Sequence, residues 1–282
     1  MNSKFLSIIL SLLLLTSFQT VYAQDKIALL FLTRSDLNHS ELWKQLLNEA
    51  PNRFNVYFHS KDPLEDPYFQ PHRIPKIVPT TWSIHAKAWQ LLIKEAVKNP
   101  ENVRFAFLSE SCIPLYSLRL IYKKIMSDEF THMFYRKPWW PSNNPREVKS
   151  LPSKFRYGNW EWIVMNRKHA ELVAQDKKVI KTISHYENDQ ESYFSTLFAI
   201  HGCLSNQTYN KSYTYMNWEH SVNGGASPYP FTEESVFNDT LIEEAYSGGA
   251  LFARKFDPEY PTYALLKMIR KNTKKYKKSL SK

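Results

Sequence analysis

Residues 27–32 read IALLFL, six apolar residues with no polar face, the length and composition of a strand buried on both sides. SELWKQLLNEA (40–50) follows, with Leu42, Trp43, Leu46 and Leu47 on one helical face and Ser40 as the expected N-cap. FNVYFHS (54–60) reads as a second strand, SIHAKAWQLLIKEAVKN (83–99) as a second amphipathic helix and RFAFLS (104–109) as a third strand. LRLIYKKIM (118–126) is helical in pattern and THMFYR (131–136) extended. Strand and helix alternating over short connections predict an α/β domain, a mostly parallel central sheet flanked by helices. In such sheets ligands sit beyond the carboxyl ends of the strands. Thr33 to Asp36, His59 to Lys61 and Ser109 to Cys112 are therefore the first places to look.

The second half is less regular. WWPSNNPREVKSLPSKFRYGNW (139–160) holds three prolines, three tryptophans and four basic residues. A stretch that long with no helix or strand period reads as a functional loop. After it come a strand in EWIVMN (161–166), a helix in RKHAELVAQD (167–176) and the acidic HYENDQESYF (185–194). A strand in SYTYMNW (212–218), the loop NGGASPYP (223–230), a helix-like EESVFNDTLIEEA (233–245), a strand in ALFARKF (250–256) and a terminal helix complete the chain.

With 282 residues, 43% hydrophobic and 15% aromatic, the chain can build a sizeable core. Its +10 net charge suggests nucleic acid until the charge is located. Residues 267–282, KMIRKNTKKYKKSLSK, hold eight Lys or Arg and no acid, and without them the balance is +2. The basicity therefore belongs to a terminal segment, a solvated end or a contact for an anionic membrane, and no nucleic-acid partner is expected. Lys4 followed by FLSIILSLLLLTSF (5–18) and VYA (21–23) reads as a signal peptide cut after Ala23, or as a short membrane anchor. The expected division is 1–23 targeting segment, 24–266 globular domain and 267–282 basic tail, in the secretory pathway or another extracytoplasmic space. There Cys112 and Cys203 could pair, and Asn38, Asn206, Asn210 and Asn238 head N-x-S/T acceptor sites.

Several chemistries are excluded. The chain has no glycine-rich phosphate loop, no H-E-x-x-H, no paired C-x-x-C and no G-x-S-x-G. It also lacks D-x-D, and no loop concentrates the oxygen ligands that a hard cation needs. No metal and no cofactor are expected. Four features remain. Glu191 follows Asn188 by three, which is a capping box if structural and a general base if catalytic. A helix N-terminus favours Glu187 and Asp189, and it should also lower the pKa of Glu191 and keep it ionised. Arg254 and Lys255, adjacent at a strand end, place one cation on each face, and either could neutralise a diphosphate. Glu110 lies at a strand's carboxyl end, and Trp218, Glu219 and His220 border a glycine-rich loop in a way that suits a pyranose face.

FLTRSD (31–36), LSESCIPLY (108–116), NDQESYF (188–194), MNWEHSVNGGASPYP (216–230) and LFARKF (251–256) stand in an order that resembles the core-2/I-branching β-1,6-N-acetylglucosaminyltransferases and their plant-type relatives. The resemblance spans residues 26–268. It implies a GT-A-like fold and an inverting, metal-independent glycosyltransferase. The implied partners are a UDP-sugar donor, with GlcNAc the expected sugar, and a hydroxyl of a glycan acceptor. Glu191 then matches the general base, although Gln190 stands where the family usually has Asp. Lys255 matches the residue that binds the donor diphosphate, with Arg254 beside it, while a second family arginine has no counterpart in PFTEESVFNDTL. His59 and His85 fall near the expected donor positions, and Trp218, His220 and Glu110 on the acceptor side. Two other readings stay open: a glycoside hydrolase pairing Glu191 with Glu161 or Glu219, and a non-catalytic carbohydrate-binding protein.

Overall fold

A computed structural model describes residues 24–138, 144–225, 227–232 and 237–279. Strand β1 (Lys26–Thr33) leads to helix α1 (Ser40–Asn48), β2 (Phe54–Ser60), α2 (Ala86–Ala96) and β3 (Asn102–Ser109). Then follow β4 (Ile113–Pro114), α3 (Leu118–Ile125), β5 (Thr131–His132), β6 (Tyr135–Arg136), β7 (Gly158–Asn159) and β8 (Val164–Asn166). The chain continues through α4 (Arg167–Gln175), α5 (Val179–Ile183), α6 (Gln190–Ile200), β9 (Thr208–Tyr209) and β10 (Thr214–Met216). It ends with α7 (Asp239–Ser247), β11 (Phe252–Arg254) and α8 (Thr262–Ser279).

The central sheet has the order β2-β1-β3-β8-β5-β9. β1 runs parallel to β2 and β3, and β5 to β9, while β8 is antiparallel to both of its neighbours. This is the expected mostly parallel sheet. A smaller sheet, β10-β11-β4, and a two-stranded ribbon, β6-β7, stand beside it.

The unbroken apolar run of β1 is explained by two cores. Ile27, Leu29 and Phe31 face Leu42, Trp43 and Leu46 of α1 together with Leu265 and Ile269 of α8. Ala28 and Leu30 face Trp89, Leu92 and Ile93 of α2 and Phe194, Leu197 and Phe198 of α6. A strand covered on both faces needs apolar side chains at both parities. Each Leu or Phe so buried contributes about 1.5–3 kcal/mol. Helix α6 is buried from Ser192 to Phe198, which is why its sequence is apolar on all sides.

Several local expectations change. Ser40 is the first helical residue and its Oγ donates to Leu37 O, while the N-cap, His39, makes no side-chain cap. THMFYR divides into two short strands, and only Val164–Asn166 of EWIVMN joins the ladder. Cys112 and Cys203 are buried and free in different cores, on opposite faces of the sheet, so they do not pair. Lys267 to Ser279 continue α8, whose Met268, Ile269 and Asn272 are buried, so the basic segment is packed helix through at least Asn272. The apolar segment before Ala23, and residues 139–143 of the tryptophan-rich loop, lie outside the described residues. No described helix is long and apolar enough to cross a membrane.

Candidate active site

The site is built at the carboxyl ends of β1, β2 and β3, where β8 enters antiparallel and brings Glu161 alongside. Ala106 pairs with Val164 and Phe107 N donates to Ile163 O, so the chain just before β8 runs beside the end of β3. Helix α2 begins at the same end because it returns from β2 to the start of β3. The N-terminus of α6 meets it there.

Glu161 Oε1 accepts from His85 Nε2 at 2.8 Å and from Trp89 Nε1 at 2.7 Å. Burial works against the His85 charge, but Glu161 and then Asp189 outweigh it and push its pKa up to about 9. Burial likewise works against the Glu161 charge, but the His85 charge and hydrogen bond, the Trp89 N–H and Arg254 outweigh it, so Glu161 is held below the usual carboxylate range. The His85 pKa is raised and the Glu161 pKa lowered, so each favours its charged form and the two make an ion pair.

Glu191 lies in the first turn of α6, its side chain 27% exposed, with Oε2 2.8 Å from Arg146 Nη1. No capping box forms. Asn188 sits in the left-handed region at φ 51°, and only its backbone oxygen receives the Glu191 N–H. With its amide oxygen turned toward the guanidinium, Asn188 accepts from Arg146 Nε at 2.8 Å and Nη2 at 2.6 Å. Asp189 points away to the neighbouring helix, where its Oδ1 accepts the backbone N–H of His85 and of Ala86. Asn159 braces the other side of this turn. Its Nδ2 donates to Gln190 O, and its Oδ1 accepts from the backbone N–H and hydroxyl of Ser195.

The charge state of Glu191 differs from the sequence expectation. Burial raises its pKa, Arg146 opposes the rise, nearby Glu161 adds to it and His85 opposes it, leaving a value of about 7. Desolvation exceeds the helix-terminus effect because that effect is a surface interaction of a few tenths to ~1 kcal/mol, whereas removing a carboxylate from water costs several times more.

Arg254 ends β11 with its guanidinium 4.0 Å over the Trp162 ring, and its field reaches Glu161. Lys255 Nζ lies 5.2 Å over the ring of Trp82, which is 67% exposed. Burial, then Arg254, lowers the Lys255 pKa, with Glu110 and Asp257 opposing. Glu110 therefore belongs to the neighbourhood of Lys255. Antiparallel pairing of β11 with β4 makes this so, since Phe256 N donates to Ser111 O.

Trp218 and His220 leave the small sheet at the same end. Met216 of β10 is paired in parallel with Arg254, so the following residues emerge beside Lys255. Trp218 is 39% exposed, and the loop is held by buried Asn217, which accepts from Glu219 N through Oδ1 and from Tyr229 N through its backbone oxygen. The His220 ring stands edge-on to Tyr229 at 6.0 Å.

His59 departs from the donor-contact expectation. It is fully buried, its Nε2 accepts the Val78 N–H at 3.1 Å, and burial takes its pKa down to about 4. It is a neutral brace behind the site that holds the 76–80 segment. The structure thus gathers Glu191, His85 and Arg254 around Glu161, sets Glu110 within the field of Lys255, and leaves His59 inside. Sequence reasoning passed over Arg146 and the tertiary role of Asp189. The proline- and tryptophan-rich stretch of 139–160 was the only signal for Arg146, and it marks a loop without marking a residue.

A family model described as Core-2/I-Branching enzyme matches residues 27–243. Among curated proteins, the chain is 26% identical over 232 residues to "Glycosyltransferase BC10" from Oryza sativa subsp. japonica. That alignment covers 69% of this chain and 58% of the rice protein, so the chain spans less than two thirds of its relative's length. Among solved structures, a glycosyltransferase involved in glycosylation of the major capsid of PBCV-1 is 11% identical with a TM-score of 0.42, covering 81% of this chain and 94% of that one. The galactosyltransferase LgtC, solved with donor and acceptor sugar analogues, is 8% identical with a TM-score of 0.36, covering 86% and 95%.

Proposed function

The chain belongs to the Core-2/I-Branching enzyme family, and on that premise we propose that it is an inverting glycosyltransferase using a UDP-sugar, with GlcNAc the expected sugar, and a glycan hydroxyl as acceptor. The observation that carries this reading is Glu191. It is a partly exposed carboxylate with a pKa near 7, close enough to Glu161 to feel its charge, while Glu161 in turn feels Arg254, the neighbour of Lys255. General bases work best with a pKa close to the working pH, and one so placed contributes ~10²–10⁴ in rate.

In the proposed step the acceptor oxygen attacks the anomeric carbon as its proton passes to the Glu191 carboxylate. The bond from that carbon to the diphosphate oxygen breaks, and the electron pair leaves on UDP. Lys255, with Arg254 beside it, offsets the charge that develops there. Lys255 lies beyond the matched 27–243 segment, so its role rests on its place in the structure and on the resemblance of LFARKF. Trp218 offers an exposed ring for an acceptor sugar and Glu110 a nearby acceptor of hydrogen bonds. His85, tied to Glu161, is placed on the donor side by the family resemblance. No step is routed through a metal, in keeping with a sequence that lacks D-x-D.

The test is UDP release from a panel of UDP-sugars with and without glycan acceptors. Release that requires acceptor, and falls at least a hundredfold in Glu191→Gln, supports transfer. Cleavage of oligosaccharide without nucleotide would favour the two-carboxylate hydrolase, and sugar affinity without any UDP release a binding protein.

A further inference from the structure

Helix α8 carries seven Lys or Arg and no acid, and six of them fall in two sets. Lys271 and Lys275 turn to Asp239 and Glu243 of α7. Lys267, Arg270, Lys274 and Lys277 are all exposed. At about 100° per residue they fall on one stripe roughly 80° wide. The stripe borders a pocket of about 480 Å³ with Leu46, Leu266 and Ile269 on its lining.

The location of this stripe matters as much as its charge. The chain enters the fold near the carboxyl half of this helix, on its packed side: Asp25 O accepts the Tyr122 hydroxyl at 2.7 Å, and two residues further along α3, Lys124 Nζ lies 4.8 Å over the ring of Tyr276 in α8. Lys26 then opens β1 at the amino ends of the parallel strands. The candidate active site occupies the carboxyl ends, about 25 Å away for an eight-residue strand. The apolar run 5–18 therefore precedes, in sequence, the same pole that carries the basic stripe.

We propose that the Lys267–Arg270–Lys274–Lys277 face of α8 docks on an anionic phospholipid surface. The contact turns the amino-end pole toward the bilayer and the candidate active site away from it. Cations near an anionic leaflet attract it at a range of about one screening length. Four on one stripe, opposed by no acid on their own helix, suit a planar array of phosphates. The groove beside them adds Leu46, Leu266 and Ile269 and one acid, Glu49 at the end of α1. The proposal stands or falls independently of the chemistry assigned to Glu191.

Full-length protein is mixed with vesicles of phosphatidylcholine alone, or of phosphatidylcholine with an equal part of phosphatidylglycerol, and the bound fractions are compared as a ratio. Any contribution of the apolar run is insensitive to headgroup charge and cancels. The wild type should prefer anionic vesicles by about fivefold for each stripe cation, and lose the preference near 1 M salt, where the screening length is ~3 Å. Lys267→Gln, Arg270→Gln, Lys274→Gln and Lys277→Gln together should bring the two vesicle types within about twofold. A control with Lys76, Lys87, Lys177 and Lys178 replaced by Gln has the same net charge and should retain the preference. A wild-type ratio near one, a preference surviving the stripe substitutions, or equal loss in the control overturns the proposal. So does binding to an anionic polysaccharide without preference for anionic vesicles.

Discussion

Asp189 stands one residue before its own helix, but its carboxylate caps a different one: Oδ1 accepts the Ala86 N–H, and that of His85, each at 2.9 Å across more than a hundred residues of chain. The first turn of α2 is thus fastened to the first turn of α6, which carries Glu191. Replacing Asp189 by Ala should cost about 1–2 kcal/mol, the usual worth of a cap. Each kcal/mol corresponds to roughly 2–4 °C in Tm for a domain of this size. Asp189→Asn retains an acceptor oxygen and should lose less. Thermal melts with amide exchange at Ala86 check this, and unchanged exchange in Asp189→Ala would count against the cap.

The pH profile of transfer should carry the signature of Glu191. Its pKa of about 7 means that log kcat/KM rises with unit slope below pH 7 and levels above it. Arg146 lowers that pKa, so Arg146→Ala should move the acidic limb to higher pH. An unmoved limb in a variant with wild-type Tm would refute the coupling.

The His85–Glu161 pair makes a prediction about stability. His85 has a folded pKa of about 9, above its ordinary 6.5. Its contribution is therefore complete below about pH 6.5 and is lost as pH rises through 9. Unfolding free energy should fall by on the order of 1–3 kcal/mol across that window. Glu161→Gln should be less stable near neutrality and should flatten the slope. Urea melts from pH 6 to 10 measure both.

Donor and acceptor contacts should separate kinetically. Lys255→Ala should weaken UDP binding and lower kcat more than tenfold, since it removes the charge proposed to offset that of the leaving group. Trp218→Ala should raise acceptor KM with little change in donor KM. Titration calorimetry with UDP and steady-state kinetics on both substrates distinguish the two, and a Trp218→Ala effect on donor alone would contradict the assignment.

The alternation of apolar runs with amphipathic stretches settled the α/β class and the succession of strands and helices through the first half, while the sheet order β2-β1-β3 came from the structure. Those signals are local: the periods of 2 and 3.6 are written in neighbouring residues, and the rule about carboxyl ends then places the site. Glu191, Lys255 and Trp218 were legible as candidates for the same reason, each lying where a predicted element begins or ends. What only the tertiary structure decided was the environment of those residues. The pKa of Glu191 depends on burial and on Arg146, 45 residues away. The roles of Asp189 and His59 depend on which helix or segment the fold brings to them. Cys112 and Cys203 remain apart because the sheet lies between their cores. The basic terminal segment became packed helix because Met268, Ile269 and Asn272 found a surface to cover. Charge, solvation and partner choice are set by distance in space, and a linear sequence fixes that distance only after the chain has closed on itself.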